Sequence, residues 1–115
     1  MDENMGKADD PKSRSALERR LGAIRERTRP AVVERIDAIE RAVGDASAHE
    51  DRLIARTEAH KLRGLLGTIG VGHGSELAAA IENELEGAVE GRPAPGWEGR
   101  VAELAAELRS EIDAR

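Results

Sequence analysis

The chain has no cysteine, no phenylalanine, no tyrosine and one tryptophan, Trp97. Without thiols there is no disulfide, no cysteine nucleophile and no cysteine-based zinc site. One aromatic gives no platform for stacking nucleobases. The charge balance, 18 Lys and Arg against 23 Asp and Glu for a net −5, supplies no positive field for a phosphate backbone. Nucleic acid is therefore not an expected partner. β-Branched and aromatic residues are too few for a sheet sandwich. No apolar run approaches the roughly 18 residues needed to cross a bilayer, so no membrane is expected. The opening MDENMGKADDPK is acidic and polar, unlike a secretory signal. These absences point to a cytoplasmic helical domain that acts on proteins.

What is present is periodic. The 115 residues make one domain, and an apolar content of 39% suits a modest core rather than a large enclosed pocket. Residues 1–12 lack periodicity and read as a disordered tail, leaving 13–115 as the folded domain. Leu17, Leu21 and Ile24 recur at helical spacing from Ser15, until Thr28-Arg29-Pro30 interrupts them. Pro30 suits the first turn of a second helix carrying Val32, Val33, Ile36, Ile39 and Val43, closed by Gly44. A third helix starts near Asp45–Ser47 and carries Leu53, Ile54, Leu62, Leu65, Leu66 and Ile69. The glycine-rich stretch Gly70–Gly74 breaks it, and Ser75 caps a fourth helix with Leu77, Ile81, Leu85 and Ala88. Gly91–Gly96 is a turn, and the last helix aligns Trp97, Val101, Leu104, Leu108 and Ile112. Single apolar stripes must be buried against one another. The expected fold is all-α, an antiparallel four-helix bundle with an additional N-terminal helix, acting as a monomer. Acids are interspersed throughout, so the arginine excess over lysine reads as coding bias rather than a binding patch.

The third helix has unusual residues on its outside. At about 100° per residue from His60, Ile54, Leu65, Ile69, Leu62, Ala55 and Leu66 fall between about 120° and 240°, a core arc centred opposite His60. Gly64 and Gly67 flank His60 at about 40° and 20° on either side. An exposed helical glycine costs about 0.5–1 kcal/mol relative to alanine, so two beside one outward imidazole need a reason. Helix crowding is a weak one on the face away from the core. Clearance for an approaching protein is the functional one, with Leu53, about 20° away, in a small docking patch with Gly64 and Gly67. No serine or cysteine nucleophile and no second histidine at metal-ligand spacing stands beside His60. Imidazole is itself a nucleophile and can attack a phosphoryl group if its other nitrogen keeps a proton on an acceptor. Arg63, one turn on, is placed to hold phosphoryl oxygens, and Lys61 is a weaker candidate for the same task.

The local sequence Ala59-His60-Lys61-Leu62-Arg63-Gly64-Leu65-Leu66-Gly67-Thr68-Ile69-Gly70 reads A-H-x-L-[KR]-G-x-x-G-x-x-G. It resembles the phospho-accepting helix of histidine-containing phosphotransfer (HPt) domains. The Gly67–Gly70 run looks most like the phosphorylatable N-terminal domain of chemotaxis-type histidine kinases. Ile81-Glu82-Asn83-Glu84-Leu85-Glu86 is similar to the helix that follows it in that family. The resemblance covers about residues 50–90. It implies that His60 is the phospho-acceptor, through Nε2, and that Arg63 contacts the phosphoryl oxygens. It further implies that Gly64 gives clearance and that Glu82 orients the imidazole through its Nδ1 hydrogen. It implies a phosphoryl carrier without kinase activity of its own, exchanging with a response-regulator receiver domain and a sensor or hybrid histidine kinase. No cofactor is expected in this chain, and Mg²⁺ is expected on the partner kinase or receiver.

Two positions depart from the family pattern. Gly74 stands where a large apolar residue is common, which suggests a looser connection. Glu58 projects into the core arc, where it would sit at the bundle rim or bond to arginine. Lys61 stands where a dimerising kinase helix carries an acid. His49 reads as a solvated surface residue, His73 as a loop residue and Trp97 as a core anchor. Two alternatives use the same features: a module that docks a receiver without chemistry, and a structural bundle that self-associates through its apolar stripe.

Overall fold

The computed structural model describes residues 11–44 and 47–114 as four helices: α1, Pro11–Arg41; α2, His49–Thr68; α3, Gly72–Val89; and α4, Trp97–Asp113. α1 packs on α2 and α4, and α3 packs on the same two, closing a ring of four. Cross-links run in opposite orders along every pair. Arg25 and Arg35 of α1 reach Ile69 and Glu58, and Arg56 and His60 of α2 reach Glu86 and Glu82. Every neighbouring pair is therefore antiparallel. The core is made where the stripes meet: Ile36 and Ile39, Leu62 and Leu66, Ile81 and Leu85, and Val101 and Leu108 are all fully buried. Burying each such side chain contributes about 1.5–3 kcal/mol. Ala55, Ala59, Ala78 and Ala105, equally buried, let the backbones approach. Trp97 is buried at the start of α4, with the Arg52 guanidinium 6.0 Å from its ring centre.

The segments on either side of Pro30 are one helix, not two. The additional N-terminal helix is thus the first half of α1. An internal proline costs about 3 kcal/mol because it removes an N–H and crowds the preceding turn. Here the stripe of Leu21, Ile24, Val32 and Ile36 stays in phase through it, so continuing the helix keeps the stripe on the bundle. The chain is also pinned on both sides. Arg25 donates to the carbonyls of Ile69 (3.2 Å) and Gly70 (3.4 Å), and Arg29 to Ile112 O (3.0 Å) and Asp113 (3.1 Å). The tail expected over 1–12 lies outside the described residues as far as residue 10; Pro11 and Lys12 begin α1.

The remaining boundaries shift for local reasons. α2 begins at His49, where the Asp51 carboxylate accepts the Ala48 N–H (2.9 Å); of the caps expected at 45–47, residues 45 and 46 lie outside the described residues. Only Ile69–Val71 separates α2 from α3. Gly70 takes φ +79, the Val71 N–H bonds Leu66 O (2.8 Å) and the Gly70 N–H bonds Gly67 O (3.4 Å), a Schellman closure. Gly72, His73 and Gly74 are already helical, so the expected five-residue break is wrong. Gly74 does not loosen the connection. A Cβ there would meet Val71 Cγ1 at 3.0 Å, Leu66 Cδ1 at 3.2 Å and Leu108 Cδ1 at 3.4 Å, so glycine lets three helices close without pushing those methyls aside.

Ion pairs lace the rims. Arg100 holds Glu84 through two 2.9 Å bonds, and these keep the Glu84 carboxyl below its ordinary range. Glu40 and Asp37 push the Arg109 guanidinium still further toward the protonated side. Glu58 is at the rim, paired with Arg35 and 3.9 Å from Lys61, which satisfies the carboxylate that the core arc could not.

Candidate functional site

The arc of α2 that is buried runs through Ala55, Ala59, Leu62, Leu66 and Ile69. On the projection from His60 this spans about 180–260°, a rotation of about 40° from the expected centre. Two consequences follow. Ile54, expected in the core, is 47% exposed, because α1 offers only Ala31, Ala38 and charged side chains across a groove of about 540 Å³. And the outward face of α2 turns toward α3, which brings His60 and Arg63 over one α3 residue.

That residue is Glu82. Its Oε2 lies 2.7 Å from His60 Nδ1, and its Oε1 accepts from Arg63 Nη1 at 3.1 Å. A carboxylate only accepts, so Nδ1 carries the ring hydrogen and donates it. Nε2 then holds the lone pair, and among the described residues no hydrogen bond engages it. The imidazole side chain is 68% exposed and Arg63 54%, whereas Glu82 is only 15% exposed. The orienting group is therefore recessed, and the nucleophile and cation project. Arg56 extends the same row, 3.5 Å from Glu86 one turn beyond Glu82.

The other sequence candidates separate. A Cβ on Gly64 would meet nothing within 4 Å, so the space beside His60 on that side is open. Gly67 is exposed as well, and a Cβ there would make only an ordinary contact, 3.5 Å from Ser75 Oγ of α3, so packing does not demand glycine at this position. Lys61 turns away from the site toward Glu58. Leu53, two turns before His60, is half-buried and edges a shallow cavity of about 220 Å³ with Ile54, Thr57 and Glu58. His73 is not a loop residue but part of the first turn of α3, where it faces Glu107 (3.4 Å) and Glu76 (3.7 Å). Nine residues of helix, about 13 Å, separate it from Glu82. His49 is exposed at the start of α2. Among the described residues no group of His, Asp and Glu could hold a metal ion.

The sequence reading missed Ser75. It does not cap α3; its hydroxyl donates to Arg63 O at 2.8 Å, across the helix pair. Its one sequence signal is position: Ser75 and Glu82 are seven residues apart, on one face of α3.

An outward imidazole with a fixed tautomer, a neighbouring guanidinium and an open flank can take up and release a phosphoryl group. No curated protein and no solved structure matches the chain. Among the described residues, no helix is long and apolar enough to cross a membrane. The family model for the Hpt domain matches residues 23–114, nearly the whole bundle. The chain belongs to the Hpt domain family, the helical-bundle carriers of histidine phosphotransfer in two-component phosphorelays.

Proposed function

We propose that His60 is the phospho-acceptor of this carrier. The observation that supports it is the 2.7 Å contact from Nδ1 to Glu82, which leaves Nε2 as the nucleophile on an exposed face. The Nε2 lone pair attacks phosphorus, the bond from phosphorus to the donor oxygen breaks, and its electron pair leaves with the donor. The ring becomes cationic as the N–P bond forms, and the Glu82 carboxylate stabilises the Nδ1–H of that cation. Arg63 exchanges its bond to Glu82 for the phosphoryl oxygens. Onward transfer reverses the steps toward a receiver aspartate.

The kinase and receiver supply the Mg²⁺ and the remaining catalytic groups, and this chain adds no kinase activity. They dock in the cytoplasm, over Gly64 and Leu53, where a Cβ on Gly64 would meet only open space beside the imidazole. Incubation with phosphoramidate, followed by intact mass, tests the assignment. One acid-labile adduct is expected on the wild type and none on His60→Gln at unchanged helical content. An adduct of equal yield on His60→Gln places the acceptor elsewhere.

A further inference from the structure

Residues 11–28 of α1 carry six basic and two acidic residues in a chain of net −5. The expectation that acids are interspersed holds along the sequence but not around the helix. Measured from Leu17, Lys12, Ala16, Arg19, Arg20, Ala23 and Arg27 fall within an arc of about 100°, and Glu18 and Glu26 fall outside it. Ala23 and the four bases of that arc are exposed. No ion pair among the described residues reaches Arg19, Arg20 or Arg27. Arg29 meets Asp113 at the end of α4, so in this antiparallel pair α1 runs on past the end of α4 toward its own N-terminus.

The outward face of α4 has the opposite character. Gly99, Ala102, Glu103, Ala106, Glu107 and Ser110 are exposed along it, with Glu107 at the edge nearest α3, 3.4 Å from His73. Both arginines of α4 stand at its flanks and turn inward, Arg100 to Glu84 and Arg109 to Asp37 and Glu40. Small and acidic residues on α4 are thus complementary to the small and basic ones on α1. The lengths also agree: 18 residues of α1 span about 27 Å and the 17 of α4 about 26 Å.

We propose that the basic half of α1 docks on the acidic face of α4 in a second copy, and reciprocally, in a two-fold dimer. Pairing of two α1 extensions is disfavoured by like charge, since each brings the same excess of bases. The dimer replaces the monomer expected from sequence and does not involve His60.

Sedimentation velocity over a concentration series tests it, at about 50 mM and about 500 mM salt, where screening differs strongly. A concentration-dependent dimer is expected at low salt, with dissociation about tenfold or more easier at high salt. Arg19→Glu/Arg20→Glu and Glu103→Arg/Glu107→Arg should each be monomeric and fully helical by circular dichroism. Their equimolar mixture should restore the dimer, because both contacts regain opposite charge. A monomer at every concentration overturns the proposal and leaves the face to a different acidic partner. A dimer that ignores both variants, or two monomeric variants that fail to rescue each other, overturns it as well.

Discussion

Replacing Glu82 by glutamine tests the site at its recessed member. The amide keeps the length of the side chain and an oxygen that can accept from Nδ1, but it loses the charge. A hydrogen bond to a charged group contributes about 1.5–3 kcal/mol, against about 0.5–1.5 for a neutral one. The difference, about 1–2 kcal/mol, is expressed as positive charge develops on the ring, so phosphorylation should slow about 5- to 30-fold. Bond distances of 2.7 and 3.1 Å put both Glu82 oxygens in direct contact with their partners, and a recessed carboxylate gives up little of this to solvent. Glu82→Ala should go further. With no acceptor, the ring hydrogen is free to move to Nε2, which removes the nucleophilic lone pair. The assay is the initial rate of phosphoramidate labelling, beside ¹⁵N spectra of the imidazole, which distinguish the two tautomers. The two donors, His60 and Arg63, are exposed and rehydrate when the carboxylate is lost, so the unfolding free energy should change by less than about 1 kcal/mol. A rate within twofold of wild type for Glu82→Ala, or an Nδ1–H tautomer that survives it, would refute the reasoning.

Three further outcomes are expected. Gly64→Ala should stabilise the fold by about 0.5–1 kcal/mol in urea, because its Cβ meets open space; Gly64→Leu should slow transfer from a receiver domain far more than labelling by phosphoramidate. Gly74→Val should cost about 2–3 kcal/mol, since its first added atom already crowds three aliphatic methyls, and a midpoint unchanged in urea would contradict that packing. Glu84 is held below its ordinary range by Arg100, so its contribution is complete above that range and is lost as pH falls through its lowered native value. Acid unfolding of Arg100→Gln should accordingly begin at higher pH than that of the wild type.

The site was more legible than the packing around it. His60, Arg63 and Gly64 lie within one turn, so local periodicity and motif suffice to relate them, and Glu82 followed from the resemblance of the next helix. Ile54 was misjudged for a simple reason. A helix's own apolar period gives its buried face only to within tens of degrees, and the neighbours decide the rest. Here α1 leaves Ile54 across a groove. Glu58 could not be resolved because its partner, Arg35, is 23 residues away. Pro30 and Gly74 misled because proline and glycine mark breaks only when no tertiary contact holds the helix; Arg25 and Arg29 hold the first, and close helix approach favours the second.

The Ser75–Arg63 bond makes the two-helix unit behave like a vernier. Ser75 and Glu82 sit two turns apart on α3 and read two neighbouring marks on α2, the carbonyl of Arg63 and the ring of His60. Adding one helical residue between Ser75 and Glu82 would swing Glu82 by about 100° relative to Ser75 and lift it about 1.5 Å, out of reach of the imidazole. Adding residues between Glu90 and Gly96 moves neither mark. The seven-residue spacing of Ser75 and Glu82 on α3 is therefore part of the chemistry, and the length of the turn that follows α3 is open to change.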